Sequence, residues 1–234
     1  MSIPVLFLPG LLCDGRLWRD QVAALAPERD CVVADLTLDD SMDAMVSRTL
    51  ARAPKRFALC GLSMGGYVAL ALMRAAPERV ARLCLMDTGA RPDTPDQSRR
   101  RRGLMAMTRG NRFNGVTPRL LPSLLHPDRV GDEELAREVM FMAARVGRDA
   151  FLRQQVAILG RADSRPHLAA IAVPTWVMVG EGDQLTPPDL SREMAAAIPC
   201  ARLTLIPHAG HLPPMEQPDA TNALLRDWLA ELSE

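Results

Sequence analysis

The chain has 234 residues, 48% hydrophobic and 24% charged, the composition of an ordinary soluble globular protein long enough to bury a sizeable core. Its 28 basic and 28 acidic side chains cancel, so no global field recommends nucleic acid, an anionic membrane or a polyanionic substrate, and a small neutral molecule suits the balance better. The five cysteines (Cys13, Cys31, Cys60, Cys84, Cys200) are odd in number, scattered and without a C-x-x-C pair, which excludes a disulfide framework and fits a reducing cytoplasm.

The first residues are apolar but lack a basic leader, and Pro9-Gly10 interrupts them well short of a membrane span, so neither signal peptide nor anchor is expected. From there, short apolar runs alternate with helical periodicity, the pattern of parallel strands joined by crossover helices. Strands are predicted at residues 5–8, 31–34, 57–60, 83–86, 175–179 and 202–206. Helices are predicted at residues 17–25, 42–51, 65–76, 190–197 and 219–231, the last presenting Leu224, Leu225, Trp228, Leu229 and Leu232 on one apolar face.

Between Asp87 and Val173 the alternation stops. The segment reads as helical throughout, with breaks near Gly103, Gly110, Pro118, Pro122, Gly131, Gly147 and Gly160. This divides the chain into a core of residues 1–88 and 172–234 and an inserted helical cap of residues 89–171. Met105, Met107, Leu120, Leu121, Leu124, Met140 and Met142 in the cap read first as helix packing. The run Arg99-Arg100-Arg101-Arg102 reads as a solvated helix face rather than an anion site.

Catalysis by a hydroxyl needs an exposed nucleophile, a base within reach and donors for the oxyanion. In Gly61-Leu62-Ser63-Met64-Gly65-Gly66, Ser63 falls on a turn between a strand-like and a helix-like segment, where side chains at 61 and 65 would collide with neighbouring backbone. The base should be a histidine beyond the last strand. Of His208 and His211, His211 follows Gly210 and is the choice; His126 and His167 lie in or near the cap and read as structural. An acid to orient it should end a strand between the two, which selects Asp183 in Gly180-Glu181-Gly182-Asp183, with Asp87 as rival and Glu181 as a turn residue. The backbone N–H groups of Met64 and of Leu11, in the loop after the first strand, are the expected oxyanion donors. Cys13, in that same loop, lacks an implied acid–base pair and is set aside as a nucleophile.

The order serine, acid, histidine resembles the α/β-hydrolase superfamily over essentially the whole chain. Gly61-Leu62-Ser63-Met64-Gly65-Gly66 resembles its nucleophile elbow, Gly180-Glu181-Gly182-Asp183 its acid turn, and Gly210-His211 with Glu216 and Pro218 its histidine loop. Pro9-Gly10-Leu11 is similar to its His-Gly-x oxyanion segment, with proline in place of the usual histidine. The elbow and histidine loop most resemble small esterases, enol-lactonases and C–C bond hydrolases that use no cofactor.

The resemblance implies an α/β fold: a predominantly parallel sheet of about six strands flanked by helices, with the family's N-terminal hairpin absent and the strand at residues 31–34 on an edge. An open edge invites pairing, so a homodimer through it is an expectation. The activity implied is hydrolysis of a small carboxylic ester through an acyl-enzyme on Ser63. Lactone opening, thioester hydrolysis, C–C cleavage and perhydrolysis use the same triad, and a non-catalytic small-molecule binding protein is the alternative of a different class. No metal or organic cofactor, nucleic acid or membrane partner is expected, since neither H-E-x-x-H nor a Gly-rich phosphate loop occurs.

Overall fold

In a computed structural model that describes residues 2–110, 113–199 and 201–230, each apolar run of the sequence forms a strand of one sheet. The strands are β1 (Val5–Leu8), β2 (Cys31–Val33), β3 (Phe57–Leu62), β4 (Val80–Met86), β5 (Thr175–Gly180) and β6 (Arg202–Ile206), paired in parallel in the order β2-β1-β3-β4-β5-β6. Position in that order explains composition. The inner strands β1, β3, β4 and β5 are buried on both faces and read as continuous apolar runs, whereas the edge strand β2 is half-buried and β6 exposes Arg202 and Leu205. Strand β3 runs two residues beyond the predicted end because both neighbours keep pairing with it, Leu8 opposite Gly61 and Met86 opposite Leu62.

The crossover helices are α1 (Arg19–Leu25), α2 (Met42–Arg52) and α3 (Met64–Ala75). The first begins later than predicted, because residues Gly15–Trp18 wind as a 3-10 turn capped by Asp14. Ser41 caps α2, its hydroxyl accepting from the Ala44 N–H. Trp18 stacks on Phe7 of β1 with ring centroids 4.7 Å apart.

The segment between β4 and β5 carries α4 (Pro95–Arg109), the single turn α5 (Leu121–Leu124) and the 27-residue α6 (Glu133–Leu159). A capping box of Thr94 and Gln97 opens α4, and Asp132 caps α6. The expected break at Gly147 is real: its φ of 80° puts a left-handed step inside α6. Gly103, by contrast, lies within α4 without interrupting it. Residues 113–118 are not helical, so the segment is less uniformly helical than the sequence suggests.

This segment shares its packing with the sheet. Leu121, Leu125, Leu135, Val139 and Met142 join one apolar cluster with Cys60, Met86, Met178 and Trp228. Met107 and Leu120 remain exposed. Arg99, Arg100 and Arg102 are solvated as expected, but Arg101 turns inward to Asp93 (2.7 Å) and Gln155 (2.8 Å).

The chain ends in α7 (Pro188–Ala197), the short α8 (Pro213–Glu216) and α9 (Pro218–Ala230). Leu225, Trp228 and Leu229 face the core from α9 and Leu224 is partly buried, while the predicted Glu231 and Leu232 positions, like Cys200, lie outside the described residues. Among the described residues no helix is long and apolar enough to cross a membrane.

Candidate active site

Ser63 joins the end of β3 to the start of α3 with φ 55° and ψ −115°, a backbone conformation that costs a non-glycine residue on the order of 1–3 kcal/mol. The surroundings enforce it. The Ser63 N–H donates to Met86 O (3.0 Å), and its carbonyl accepts from the Thr88 hydroxyl (2.8 Å) and the Gly66 N–H (2.9 Å). A Cβ on Gly61 would strike the Gly65 carbonyl, one on Gly65 the Leu8 carbonyl, and one on Gly66 the Thr88 side chain. The glycines thus permit backbone to pass against backbone, and Ser63 is left half-buried at the C-terminal edge of the sheet. Met64 is the first residue of α3, so its N–H belongs to the helix's unsatisfied first turn, at the positive end of the helix dipole.

The loop after β1 lies against this elbow: a Cβ on Gly10 would sit 3.4 Å from Ser63 Cβ, and Leu11 is the next residue in the chain. The Cys13 N–H closes a tight turn on Gly10 O (3.1 Å), and Leu12 takes a left-handed φ of 59°. A residue of the segment between β4 and β5 braces that turn. Gln154, fully buried on α6, accepts from the Leu12 N–H (3.1 Å) and donates through Nε2 to Leu36 O (3.1 Å), so the loop is held although the usual histidine is replaced by Pro9. Burial, aided by the charge of Asp14, pushes the Cys13 thiol up to about 12, which removes it as a thiolate.

His211 and Asp183 meet in a buried pair, Nδ1 to Oδ2 at 2.9 Å. The same carboxylate accepts from the Thr186 hydroxyl (2.6 Å) and from the Leu185 and Thr186 N–H groups (2.8 and 3.1 Å). Burial opposes charge on Asp183, but the imidazole and the bonds from Thr186 outweigh it and hold the carboxyl below its ordinary range. An ionised carboxylate on Nδ1 fixes the imidazole tautomer and leaves Nε2 for other work.

Asp87, the rival acid, is close by but its carboxyl is pushed the other way. Its Oδ1 accepts from the Gly180 N–H (2.9 Å), while Oδ2 is buried without a hydrogen-bond partner. Burial, and then the charge of Asp183, push its carboxyl well above the usual range, opposite in direction to that of Asp183.

The histidine loop is anchored by Glu216, which is fully buried. Its carboxylate accepts from the Gly210 N–H (3.0 Å), the Leu212 N–H (2.9 Å) and, from the segment between β4 and β5, the His126 N–H (2.7 Å). The His211 N–H donates in turn to Leu124 O (2.8 Å). His167 is exposed, and His208 is exposed beside Asp128 (2.7 Å). Glu181 accepts from the His208 N–H (2.8 Å), a turn contact as expected.

The structure therefore brings Ser63, Met64, Asp183, His211 and the loop bearing Leu11 to the C-terminal edge of one sheet, where β1, β3, β5 and β6 end. Gln154, Thr88 and Thr186 are supporting residues that carry no motif of their own.

Comparison with known proteins identifies the family. The profile of the "Alpha/beta hydrolase family" matches residues 5–224. A pimeloyl-[acyl-carrier protein] methyl ester esterase of Nitrosomonas europaea is 30% identical over 216 residues, covering 87% of this chain and 81% of that protein. The malate-bound structure of a thermophilic esterase from Thermogutta terrifontis superposes with a TM-score of 0.88 at 31% identity, over 98% of this chain and 90% of the esterase. The enol-lactonase of Burkholderia xenovorans LB400 shares the fold with a TM-score of 0.87 at 24% identity, over 99% of this chain and 92% of that one. With the family profile spanning nearly its whole length and the sheet, elbow and histidine loop in place, the chain belongs to the alpha/beta hydrolase family.

Proposed function

We propose that the chain is a serine hydrolase that cleaves a small, uncharged carboxylic ester through an acyl-enzyme. The observation that carries this reading is the strained Ser63 at the head of α3, on the same sheet edge as the hydrogen-bonded Asp183–His211 pair. His211 Nε2, left free by the bond from Nδ1 to Asp183, takes the Ser63 proton as Oγ attacks the ester carbonyl. The Leu11 and Met64 N–H groups hold the oxyanion. Collapse expels the alcohol, protonated by His211, and water activated by the same imidazole releases the acid. Two relatives with 30% identity or more are named as esterases, which supports ester over other acyl bonds.

The substrate class follows from what surrounds the loop after β1. Leu12 packs with Ala143 and Phe151 of α6, flanked by Leu11, Phe113, Val116, Val146 and Leu152, an apolar surface suited to an alkyl or aryl group. With p-nitrophenyl acetate and butyrate, Ser63→Ala is expected to lower kcat by several orders of magnitude, on the order of 10⁶ by analogy with triad deletions in subtilisin. A fluorophosphonate probe should add its mass to Ser63 alone. An active Ser63→Ala protein, or a folded chain that the probe leaves unlabelled, refutes the assignment, the second outcome favouring a binding protein.

A further inference from the structure

Of the four histidines in the chain, two face each other beside the loops that carry Asp183 and His211. His126 follows α5 in the cap, and His208 stands three residues before His211. Their ring centroids are 5.7 Å apart, edge to face, with Asp128 between. Both Nδ1 atoms aim at the same carboxylate oxygen, Asp128 Oδ2, His208 from 2.7 Å and His126 from 3.4 Å. One ligand atom from each of the three residues falls within 4.8 Å of the others.

We infer that His126, Asp128 and His208 form a binding site for one divalent transition-metal ion of the zinc type, pinning the cap to the histidine loop. Zinc–nitrogen and zinc–oxygen bonds of about 2.0–2.2 Å in a tetrahedron put neighbouring donors roughly 3.3 Å apart. The two measured separations, 2.7 and 3.4 Å, straddle that spacing, so the ion needs only a small opening of the His208–Asp128 pair. His126 Nδ1 now accepts from the Asp128 N–H (3.2 Å), and the ion would take over that lone pair.

A hydrogen-bonded His208–Asp128 pair alone accounts for two of these residues but not for the third or for what lies behind it. Glu181 Oε1 sits 3.8 Å from His126 Nε2, on the outer edge of the ring, too long for a hydrogen bond without metal and within reach of one if the ring shifts on ligation. The same Glu181 oxygen accepts the His208 N–H (2.8 Å), holding that residue in a left-handed φ of 55° which turns its ring toward Asp128. Two imidazoles and one carboxylate suit zinc better than calcium or magnesium, whose ligand shells are oxygen. The exposed side of the site, where the His208 and Asp128 side chains are 65% and 58% accessible, leaves room for water in the fourth position.

The unfolded chain cannot present residues 126, 128 and 208 together, so binding should appear as added stability. The test is titration of the tag-free, chelator-stripped full chain with Zn²⁺, following uptake by competition with a chromophoric chelator and unfolding by calorimetry. One ion per chain is expected, with the unfolding midpoint raised by about 5–10 °C at a hundredfold excess over Kd. Co²⁺ should give visible d–d bands without the near-ultraviolet band of a thiolate. His208→Asn, which tolerates the left-handed backbone, and Asp128→Asn change exposed side chains and should each weaken binding tenfold or more, while His167→Ala leaves it unchanged. No saturable uptake, a loss of less than tenfold in either variant, or a thiolate band overturns the assignment. None of these readouts depends on esterase activity, so the site and the proposed reaction fail separately.

Discussion

Replacing Glu216 by Gln alters one atom of a buried side chain that holds both the histidine loop and the cap. In the wild type, Oε1 takes the Leu212 N–H (2.9 Å), Oε2 takes the His126 N–H (2.7 Å), and the Gly210 N–H is shared at 3.0 Å to each. An amide must turn its NH₂ toward one of these donors, orphaning it inside the fold at a cost of about 1–3 kcal/mol. The remaining bonds lose their charge assistance, roughly another 1 kcal/mol. Against this, burial raises the Glu216 carboxyl despite the three backbone donors, so a neutral side chain recovers part of the loss. The net destabilisation expected is about 2 kcal/mol, a fall of about 4–8 °C in the unfolding midpoint for a chain of this size. Since Gly210 and Leu212 flank His211, kcat on p-nitrophenyl acetate should fall about tenfold or more, with KM little changed. Calorimetry and steady-state kinetics together check this. A Glu216→Gln protein with unchanged midpoint and unchanged kcat would show that Glu216 does not position the loop.

Three further substitutions probe the rest of the site. Ser63→Ala, followed on aryl esters, should abolish turnover while the protein stays folded. Gln154→Leu removes both ends of the bridge from Leu12 N to Leu36 O, leaves two buried backbone groups unpaired, and should cost about 2–5 kcal/mol by chemical denaturation; kcat should fall as the Leu11 donor loosens, and full kcat would sever Gln154 from the oxyanion loop. Asp87→Asn tests the raised carboxyl. A carboxyl raised in the folded state loses stability as pH climbs from its unfolded value of 3.8 toward the folded one, so the variant should gain on the wild type with rising pH in urea titrations. Asp183, held low, contributes stability above its unfolded pKa and loses it as pH falls, so a variant that instead gains on the wild type only toward acid pH would reverse the assignment of the two carboxyls.

Much of the candidate site is local in sequence. The elbow announces itself because a strand, a sharp turn and a helix need small residues at fixed offsets, and Gly61, Gly65 and Gly66 are met by backbone or by Thr88 just where that logic requires. Asp183 and His211 each end or follow a strand, so residue type and chain order sufficed to nominate them. The breaks in the cap were less faithful. Gly103 sits on an open helix face where a glycine costs about 1 kcal/mol and no more, whereas Gly147 adopts a conformation that changes the chain's direction.

What the sequence by itself determined is the order of elements, the parallel sheet and the residue types at its C-terminal edge, because strand and helix periods and turn chemistry are properties of neighbouring residues. Tertiary structure alone decided the rest. Gln154 meets Leu12 across 142 residues, Glu216 meets His126 across 90, and Arg101 leaves a solvated run to pair with Asp93. The carboxyls of Asp87 and Asp183 are pushed in opposite directions although both are aspartates at strand ends. Desolvation and the count of converging donors set those directions, and neither exists until the chain has folded.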